Sequence, residues 1–309
     1  MTVLVTGAGG PAGIAVIRAL AMAGMPTVGV DADAGAVGLR LAEDQAVIPR
    51  ADAEGYGPSL VEVARTKGAT ALICTVAEEM AAVGVAAEAL AEAGVAVWLP
   101  TNDSVKACID KWEFAQRADR ADITIPATGL GKADGIPGPW IVKPRFGRGS
   151  RDILQVDDLD ELNWALGRVP NPIVQTRVCG SEFTVDALVD RDGVLRSAVP
   201  RYRVETRGGI STRGVTFRNP DVEDGVERLL GCVGLRGVAN AQGFVTPDGE
   251  VVFIEINPRF SGGLPLSLAA GADLVGQYLR LIRGLPVEPN RLSFRAGVTM
   301  MRHFVEVFE

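Results

Sequence analysis

Short apolar runs alternate with amphipathic stretches through the first 100 residues. The apolar runs are four or so residues long and are predicted to be strands, while the longer stretches have helical spacing. Strands are predicted at Val3–Thr6, Thr27–Val30, Ala46–Ile48, Ala71–Cys74 and Ala96–Leu99, and helices at Pro11–Ala23, Leu60–Thr66 and Glu78–Ala93. This βαβ succession implies an α/β domain with a doubly wound parallel sheet and helices on both of its faces.

The pattern changes after residue 100. Candidate helix caps precede a helical stretch at 101–115, and a Gly/Pro-rich connection leads into a predicted separate small lobe. The small lobe contains predicted strands at Trp140–Pro144 and Ile153–Val156, a helix at Asp157–Leu166 and a strand at Ile173–Val178. Further on, helices are predicted at Asp221–Cys232 and across 264–284, and one or two last strands within Ala296–Val307.

Two strand-like runs near the C-terminal end, VANAQGFV and EVVFIEIN, flank the turn sequence TPDG. Alternation with period two places Glu255 and Asn257 on one face with Val251 and Phe253. Val252, Ile254 and Ile256 then take the opposite face and are predicted to be core. Gln242 on the first strand faces the same way as Glu255 if the loop has two or four residues, and away from it if the loop has three.

A carboxylate and an amide oxygen two residues apart on a strand are suited to Mg²⁺, which favours a few oxygen ligands completed by water and phosphates. We therefore predict a metal site at Glu255 and Asn257, joined by Gln242 if the register permits. Arg259 follows immediately and could place a cation beside phosphates. An ordinary hairpin with a polar exposed face is the alternative.

Composition narrows the function classes. The formal net charge of −7 argues against a general nucleic-acid binder, and no apolar run reaches the length of a membrane span. Four scattered cysteines without C-x-x-C spacing are typical of reduced thiols, so a cytoplasmic protein is expected. The single histidine, His303, makes a histidine-dependent nucleophilic mechanism improbable.

The turn Gly7–Gly13 matches G-x-G-x-x-A, and Asp31 ends the second strand. Together they fit a dinucleotide-binding fingerprint, so an NAD(P)-dependent oxidoreductase is a rival hypothesis. The sheet ends near residue 100, however, and no candidate catalytic His or Tyr-x-x-x-Lys follows. The helix N-terminus at this turn could also hold an anionic part of a substrate.

A second basic stretch, VPRYRVETRGGISTRG, follows the small lobe. Arg203 and Arg207 are predicted to share a strand face with Glu205, and period two adds Arg201. They form either an anion site for a carboxylate or acyl phosphate, or a solvated strand with charge pairs.

Several motifs in chain order resemble the ATP-grasp superfamily, especially its carbamoyl-phosphate-synthase large-subunit-like branch. These are D-K-x-x-F at 110–114, a strand-terminal lysine before the glycine-rich loop 145–151, G-x-E-F-x-V-D at 180–186, and E-x-N-P-R-x-S-G-G at 255–263. The resemblance implies an ATP-grasp fold with an N-terminal doubly wound (pre-ATP-grasp, Rossmann-like) domain, a small lid subdomain and a C-terminal α+β lobe. The expected boundaries are 1–110, 111–174 and 175–309.

The resemblance also implies roles for individual residues. Lys111 and Lys143 would reach ATP phosphates, and Glu182 would lie near the ribose and the reaction centre. Arg259 would steady an acyl phosphate, with Lys143, Arg203 and Arg207 as further catalytic candidates. The lid contacts would come from Arg145, Gly147, Gly149 and Ser150, and the adenine contacts from Gln175, Thr176, Arg177 and Val178. Gln175-Thr176 departs from relatives that carry a glutamate at the hinge.

The implied activity is an ATP-dependent carboxylate–amine ligase that forms an acyl phosphate and releases ADP and phosphate. ATP and Mg²⁺, with Mn²⁺ as a possible substitute, are the expected cofactors. The expected partners are a small-molecule carboxylate and amine, without nucleic acid or membrane, and a homodimer is possible. The NAD(P)-dependent oxidoreductase and a nucleotide-binding protein without turnover remain the alternatives.

Overall fold

The computed structural model describes residues 1–147, 149 and 151–308. Within that part of the chain the strands form three sheets. The predicted lid contact Ser150 lies outside the described residues. No helix in the described ranges combines the length and apolarity needed to cross a membrane.

The N-terminal sheet is parallel, as the alternation of strands and helices predicts. Its strands are β1 (Thr2–Thr6), β2 (Thr27–Asp31), β3 (Asp44–Val47) and β4 (Ala69–Ile73), in the order β3-β2-β1-β4. Its helices are α1 (Pro11–Met22), α2 (Val37–Leu41), α3 (Tyr56–Thr66), α4 (Met80–Val85) and α5 (Ala87–Glu92), with a 3₁₀ turn at Ala77–Glu79.

Two predictions in this region were wrong. The helix expected at Glu78–Ala93 is divided into the 3₁₀ turn, α4 and α5, and Gly84 weakens helix formation just before the break at Ala86. The segment Ala96–Leu99 is not a strand and contributes only a bridge between Ala96 and Ala71. The Trp98 carbonyl instead accepts a hydrogen bond from the Tyr278 hydroxyl at 2.8 Å, which holds the segment against the C-terminal lobe.

The small sheet is antiparallel and has the order β5-β8-β6-β7. The Asp158 side chain caps α8 by accepting a hydrogen bond from the Glu161 N–H, and the helix covers a compact core around Val142 and Val174. The elements are β5 (Thr128–Leu130), β6 (Trp140–Pro144), β7 (Leu154–Val156), α8 (Leu159–Arg168) and β8 (Pro172–Thr176). Since β8 spans the expected junction at 174–175, the division into domains stays a prediction.

The large sheet is antiparallel, with the order β13-β12-β9-β10-β11-β14. Its strands are β9 (Ser181–Val189), β10 (Leu195–Arg207), β11 (Ile210–Thr216), β12 (Gly237–Val245), β13 (Val251–Asn257) and β14 (Thr299–Met301). The helices around it are α6 (Asn102–Ile109), α7 (Lys111–Arg120), α9 (Pro220–Cys232), α10 (Leu264–Ala270) and α11 (Leu274–Ile282), and Pro289–Arg291 forms a 3₁₀ turn. The last expected strand is therefore much shorter than Ala296–Val307.

The hydrophobic cores join these parts. One core packs α1 and β1 of the N-terminal domain against α10 and α11, with Leu188 and Val199 of the large sheet. A second core lies on the opposite face of the large sheet, where α7 and α9 cover Phe183 and Phe253. Both faces of the large sheet are therefore covered, and the face opposite Phe253 is the one that meets the N-terminal domain.

Candidate functional site

The hairpin of β12 and β13 carries the predicted metal ligands. The Gly249 N–H bonds to the Thr246 carbonyl at 3.0 Å, which confirms the predicted turn over TPDG. Thr246 and Glu250 are joined by a backbone hydrogen bond of 2.9 Å, so the loop between them has three residues. A three-residue loop should turn Gln242 away from Glu255, but the register shifts between Gln242 and Gly243, and Gln242 pairs with Glu255.

The shift is a β-bulge at Ile254, and it also corrects the predicted faces. Phe253 pairs with Gly243 and is buried in the core beneath α9, whereas Ile254 is the extra residue and is only partly buried. Glu255 therefore does not share a face with Phe253, as the alternation predicted, but lies on the opposite side of the sheet with Gln242 and Asn257.

The three candidate ligands are held by short polar contacts. Asn257 Nδ2 donates to Glu255 Oε1 at 2.9 Å, and Gln242 Nε2 donates to Asn240 Oδ1 at 3.3 Å. The described residues contain no group of three His, Cys, Asp or Glu side chains that could hold a metal. One carboxylate with two amide oxygens still fits Mg²⁺, since this ion takes one or two protein carboxylates and completes its shell with water and phosphate oxygens.

A buried ion pair supports these strands from the side of β9 and β10. Arg201, whose side chain is 2% exposed, donates from Nη2 to Asp186 Oδ1 at 2.9 Å and to Ser261 Oγ at 3.0 Å. Asp186 also accepts from Ser267 Oγ at 2.6 Å and from Asn240 Nδ2 at 3.3 Å. This network fixes the polar face on which the metal ligands lie, and the charges in it compensate each other.

The same network explains the glycines of the S-G-G sequence. A Cβ atom on Gly263 would lie 2.1 Å from Nη1 of Arg201, and one on Gly262 would lie 2.9 Å from Cβ of Pro11. Both positions therefore require glycine because other parts of the chain approach them closely. The second contact also brings the first turn of α1 against the segment that follows the metal ligands.

Two lysines from different elements lie within the electrostatic reach of Glu255. Lys143 ends β6 and Lys111 begins α7, and both side chains are buried. Burial lowers the pKa of Lys143 to about 8; Lys111 lowers it too, while Glu255 opposes the shift. Burial also lowers the pKa of Lys111, against the charges of Glu255, Asp110 and Glu78. Two desolvated cations facing one carboxylate form a site that favours a polyanion such as a nucleotide phosphate chain.

The glycine-rich loop lies across α7. Lys111 Nζ donates to the Gly147 carbonyl at 2.9 Å, and the Lys111 N–H donates to the Arg145 carbonyl at 3.2 Å. Gly147 and Gly149 have positive φ values of 150° and 68°, conformations that favour glycine. The backbone of Arg145 and Gly147 is thus held against Lys111.

Arg145 is engaged by the protein itself. Its guanidinium donates from Nε and Nη2 to the two carboxylate oxygens of Asp110, at 2.7 and 2.6 Å. Burial of Asp110 opposes ionisation, but these bonds and those from the Glu113 and Trp112 N–H groups outweigh it and lower the pKa. The Asp110 side chain also caps α7, so its ion pair with Arg145 fixes the start of the loop to this helix. A contact of Arg145 with the nucleotide stays a prediction.

The hinge residues follow β8 towards the large sheet. Gln175 is buried and donates from Nε2 to Thr128 Oγ1 at 2.9 Å. The Thr176 and Arg177 N–H groups donate to the carbonyls of Ala127 and Pro139, and Arg177 also forms an ion pair with Asp157 at 2.6 Å. Val178 lies between β8 and β9. The adenine contacts predicted for these four residues stay a prediction.

Glu182 and Arg203 form an ion pair on the polar face of the large sheet, with 3.0 Å between Arg203 Nε and Glu182 Oε1. Burial and the nearby Glu255 raise the pKa of Glu182, while Arg203 opposes this shift. The pair therefore lies beside the predicted metal ligands and within the electrostatic reach of Glu255.

The Arg207 side chain lies in different surroundings from that of Arg203. Register shifts between Arg203 and Glu205 and between Glu205 and Thr206 interrupt the alternation that was predicted to align these side chains. Arg207 lies at the tip of the β10–β11 hairpin, where it is 74% exposed and pairs with Glu205 at 3.2 Å. The predicted common face is interrupted between Arg203 and Glu205, while Glu205 and Arg207 remain neighbours as predicted. A catalytic role for Arg207 stays a prediction.

A cleft brings groups from all three parts of the chain together. Besides the predicted residues Lys111, Gly147, Glu255, Asn257 and Arg259, its lining includes Glu78 of the N-terminal domain. Arg259 Nη2 donates to Asn257 Oδ1 at 3.1 Å, which places its charge next to the predicted metal ligands, and its predicted position beside phosphates stays a prediction. Glu78 was not among the predicted residues, and its position after β4, at the carboxyl end of a parallel strand, is the signal that could have identified it.

The N-terminal glycine turn is closed by its own neighbours. The Gly9 N–H donates to Asp31 Oδ2 at 2.8 Å, and the Asp33 N–H donates to Asp31 Oδ1 at 3.0 Å. A Cβ on Gly9 would lie 2.7 Å from Cβ of Ala36, and one on Gly13 would lie 2.3 Å from the Gly7 carbonyl oxygen. Close packing and an internal carboxylate bond therefore account for this fingerprint without a dinucleotide.

Comparisons with known proteins agree with this geometry. The sequence model of the ATP-grasp domain family matches residues 108–263, which is half of the chain. The carbamoyl phosphate synthase large chain of Clostridium perfringens (strain 13 / Type A) is 27% identical over 230 residues, covering 67% of this chain and 21% of that protein. That of Vibrio cholerae is 28% identical over 228 residues, covering 65% and 21%. The chain spans about a fifth of the length of these curated relatives.

Solved structures share the fold over nearly the whole chain. Biotin carboxylase from Campylobacter jejuni superposes with a TM-score of 0.75 and 16% identity, covering 95% of this chain and 73% of that one. The ADP complex of N5-carboxyaminoimidazole synthetase from Staphylococcus aureus gives 0.75 and 13%, covering 93% and 78%. An L-amino acid ligase from Bacillus licheniformis gives 0.73 and 15%, covering 96% and 77%. At these identities the likeness establishes the fold.

Proposed function

The chain is a member of the ATP-grasp family, and from that premise we propose that it is an ATP-dependent carboxylate–amine ligase. The observation that carries the proposal is the arrangement around Glu255. Lys111 and Asn257 line one cleft with it, the buried Lys143 lies within its electrostatic reach, and Gln242 pairs with it across the hairpin. In the proposed reaction a carboxylate is phosphorylated by ATP, and an amine then displaces phosphate to form an amide.

The protein's own residues have separate tasks in this proposal. Glu255, Asn257 and Gln242 hold Mg²⁺, or Mn²⁺ in its place, which when bound neutralises phosphate charge. Lys111, Lys143 and the backbone of the loop at Gly147 hold the phosphates in position for transfer. Gly149, Ser150 and Arg145 belong to the same proposed lid. Closure of this lid over the cleft excludes water, which would otherwise hydrolyse the acyl phosphate.

Charge stabilisation at the carboxylate comes from the large sheet. Arg259, next to Asn257, stabilises the oxygens of the acyl phosphate and of the tetrahedral intermediate. Arg203 orients Glu182 near the ribose, and Arg207 would reach the acid only by movement of its hairpin tip. Gln175, Thr176, Arg177 and Val178 form the proposed adenine side of the site. The proposed ligands are small molecules, without nucleic acid or membrane, the localisation is cytoplasmic, and a homodimer is compatible with this scheme.

Thermal unfolding with MgATP, MgADP, NAD⁺ and NADPH tests the nucleotide site. A ligand at about a hundred times its dissociation constant raises the free energy of unfolding by about 2.7 kcal/mol. We expect MgATP and MgADP to stabilise the wild type, and Glu255→Ala to lose the magnesium-dependent part. Glu250→Ala, an exposed carboxylate on the same hairpin, is the matched control and should respond like the wild type.

The chemistry is tested by phosphate release. The twenty amino acids serve as acids, and the same compounds together with putrescine serve as amines. ADP and phosphate formed only when both an acid and an amine are present would support the ligase. Stabilisation by NAD(P) alone would contradict it, and MgATP binding without turnover for any pair would favour a non-catalytic nucleotide-binding protein.

A further inference from the structure

A second cavity, the α9 cavity, lies where the end of β9, the last turns of α9 and the segment before β12 meet. Its volume is about 190 Å³, and it shares no lining residue with the cleft at Glu255. Its rim carries two charged residues, Glu227 and Arg236. The apolar part of its lining, which is mostly buried, consists of Val189, Leu195, Leu230 and Leu235.

The walls of the α9 cavity are fixed by hydrogen bonds of the protein itself. The turn after β9 is closed by Asp190, whose Oδ1 accepts two backbone N–H groups of the residues that follow, at 3.0 and 2.9 Å. After α9, the Leu235 N–H donates to the Leu230 carbonyl and the Gly234 N–H to the Gly231 carbonyl, both at 3.0 Å. The cavity therefore has its shape before any ligand binds, which lowers the entropic cost of binding.

The two charges on the rim do not neutralise each other. Glu227 lies on α9 and Arg236 directly before β12, and both side chains are exposed. Within the described ranges, neither side chain forms an ion pair or a hydrogen bond. Arg236 Nε lies 3.8 Å from the position of a Cβ on Gly193, so this side chain extends along the turn after β9. A carboxylate and a guanidinium that both line one cavity are suited to a ligand with a positive and a negative group.

The size of the cavity and its apolar lining define the rest of the ligand. A protein cavity of about 150 Å³ holds benzene, so a volume of about 190 Å³ holds about eight heavy atoms, the size of valine. The four apolar residues of the lining would bury an aliphatic side chain. The C-terminal end of α9 has partial negative charge and adds to the attraction of Glu227 for an ammonium group.

We propose that the α9 cavity binds a free aliphatic amino acid, with valine as the best match in size, at a site separate from the catalytic cleft. Arg236 binds the carboxylate of this amino acid, and Glu227 binds its ammonium group. Valine, leucine and isoleucine belong to the expected class of ligand. Glycine lacks the apolar side chain, and a dicarboxylic amino acid would bring a second negative charge to the apolar lining.

Calorimetric titration of the full chain with L-valine tests the site. Arg236→Gln and Glu227→Gln should each weaken valine binding by about 10–150-fold, the usual contribution of a hydrogen bond to a charged group. Asp224→Asn, an exposed carboxylate one turn earlier on α9, and Arg283→Gln, an exposed arginine outside the cavity, are the matched controls and should bind valine normally.

Valine derivatives assign each charge to its partner. L-Valinamide lacks the carboxylate, so it should bind the wild type and Arg236→Gln with equal affinity. N-Acetyl-L-valine lacks the ammonium group and should likewise bind the wild type and Glu227→Gln equally. MgATP should stabilise all four variants as it stabilises the wild type, because none of them changes the cleft.

Two results would overturn the inference. One is equal binding of valine to the wild type and to both rim variants, which would place the amino acid elsewhere, including the cleft. The other is the absence of heat from valine, leucine and isoleucine at about 10 mM, a concentration that detects even millimolar affinity. Neither result bears on the proposed ligase function, which is measured separately by release of ADP and phosphate.

Discussion

The N-terminal glycine turn and the β12–β13 hairpin both look like ligand sites in the sequence, and their structures differ in one respect. In the turn, the Asp31 carboxylate accepts a hydrogen bond from the Gly9 N–H. Neighbouring backbone and alanine side chains occupy the space that a Cβ on Gly9 or Gly13 would need. At the hairpin, Glu255 faces two lysines whose burial is not fully compensated. A motif whose groups satisfy one another maintains a fold, whereas uncompensated burial of charge marks the place where a ligand completes the structure.

The largest expected effect is on the hairpin side. Lys143→Met should weaken MgATP binding by about 2–5 kcal/mol, because it removes one partner of a desolvated charge contact. Without nucleotide, the Lys143→Met protein should be at least as stable as the wild type, because the substitution removes a buried cation. Calorimetric titration with MgATP and thermal unfolding of the apo protein measure the two quantities.

Lys106→Met on the exposed side of α6 is the control for the lost charge and should bind MgATP normally. A Lys143→Met variant with unchanged affinity would remove this lysine from the nucleotide site.

The glycine turn should give the opposite result. Gly9→Ala places a Cβ 2.7 Å from that of Ala36 and should destabilise the protein by about 1–3 kcal/mol through overpacking. The additional stability conferred by MgATP should be unchanged. Chemical denaturation with and without MgATP measures both effects.

Gly24→Ala measures strain at a left-handed glycine without close packing, because Gly24 has a positive φ of 67° and nothing within 4 Å of its Cβ position, whereas Gly9 has close neighbours and no positive φ. If MgATP no longer stabilised Gly9→Ala, the turn would take part in nucleotide binding. The contrast between the glycine turn and the β12–β13 hairpin would then be wrong.

The smallest expected effect is a pH dependence. The folded protein holds the pKa of Lys143 at about 8, below its ordinary value of 10.5. Between these values the unfolded chain binds a proton that the folded chain lacks, so stability should rise with pH in this window, by up to about 1.4 kcal/mol per pH unit. Below pH 8 the lysine is charged in both states and contributes no slope.

The difference in unfolding free energy between wild type and Lys143→Met, measured without metal or nucleotide from pH 7 to about 10, isolates this contribution. A difference that does not change over that range would mean that Lys143 keeps an ordinary pKa in the folded protein.

The sequence predicted the fold class, and it indicated several residues that the structure brings close together, because those features depend on local patterns. Glu255 and Asn257 could be assigned from their spacing on a strand, and Lys143 from its place at a strand end. Glu78 could not, because its approach to the cleft depends on how the N-terminal domain packs against the large sheet. The face of Arg207 was also beyond prediction, since bulges reverse the alternation of side chains and leave little trace in composition.

The bulge at Ile254 has a consequence for sequence comparison and for loop grafting. A three-residue loop alone would place Gln242 and Glu255 on opposite faces, and the extra residue in β13 reverses this. Together they keep Gln242 opposite Glu255 on one face. Homologous hairpins that retain both side chains should therefore combine an odd loop with a bulge, or an even loop with none. Exchanging the turn alone for one of the other parity would rotate the carboxylate into the apolar layer, so turn length and strand length are expected to vary as a linked pair.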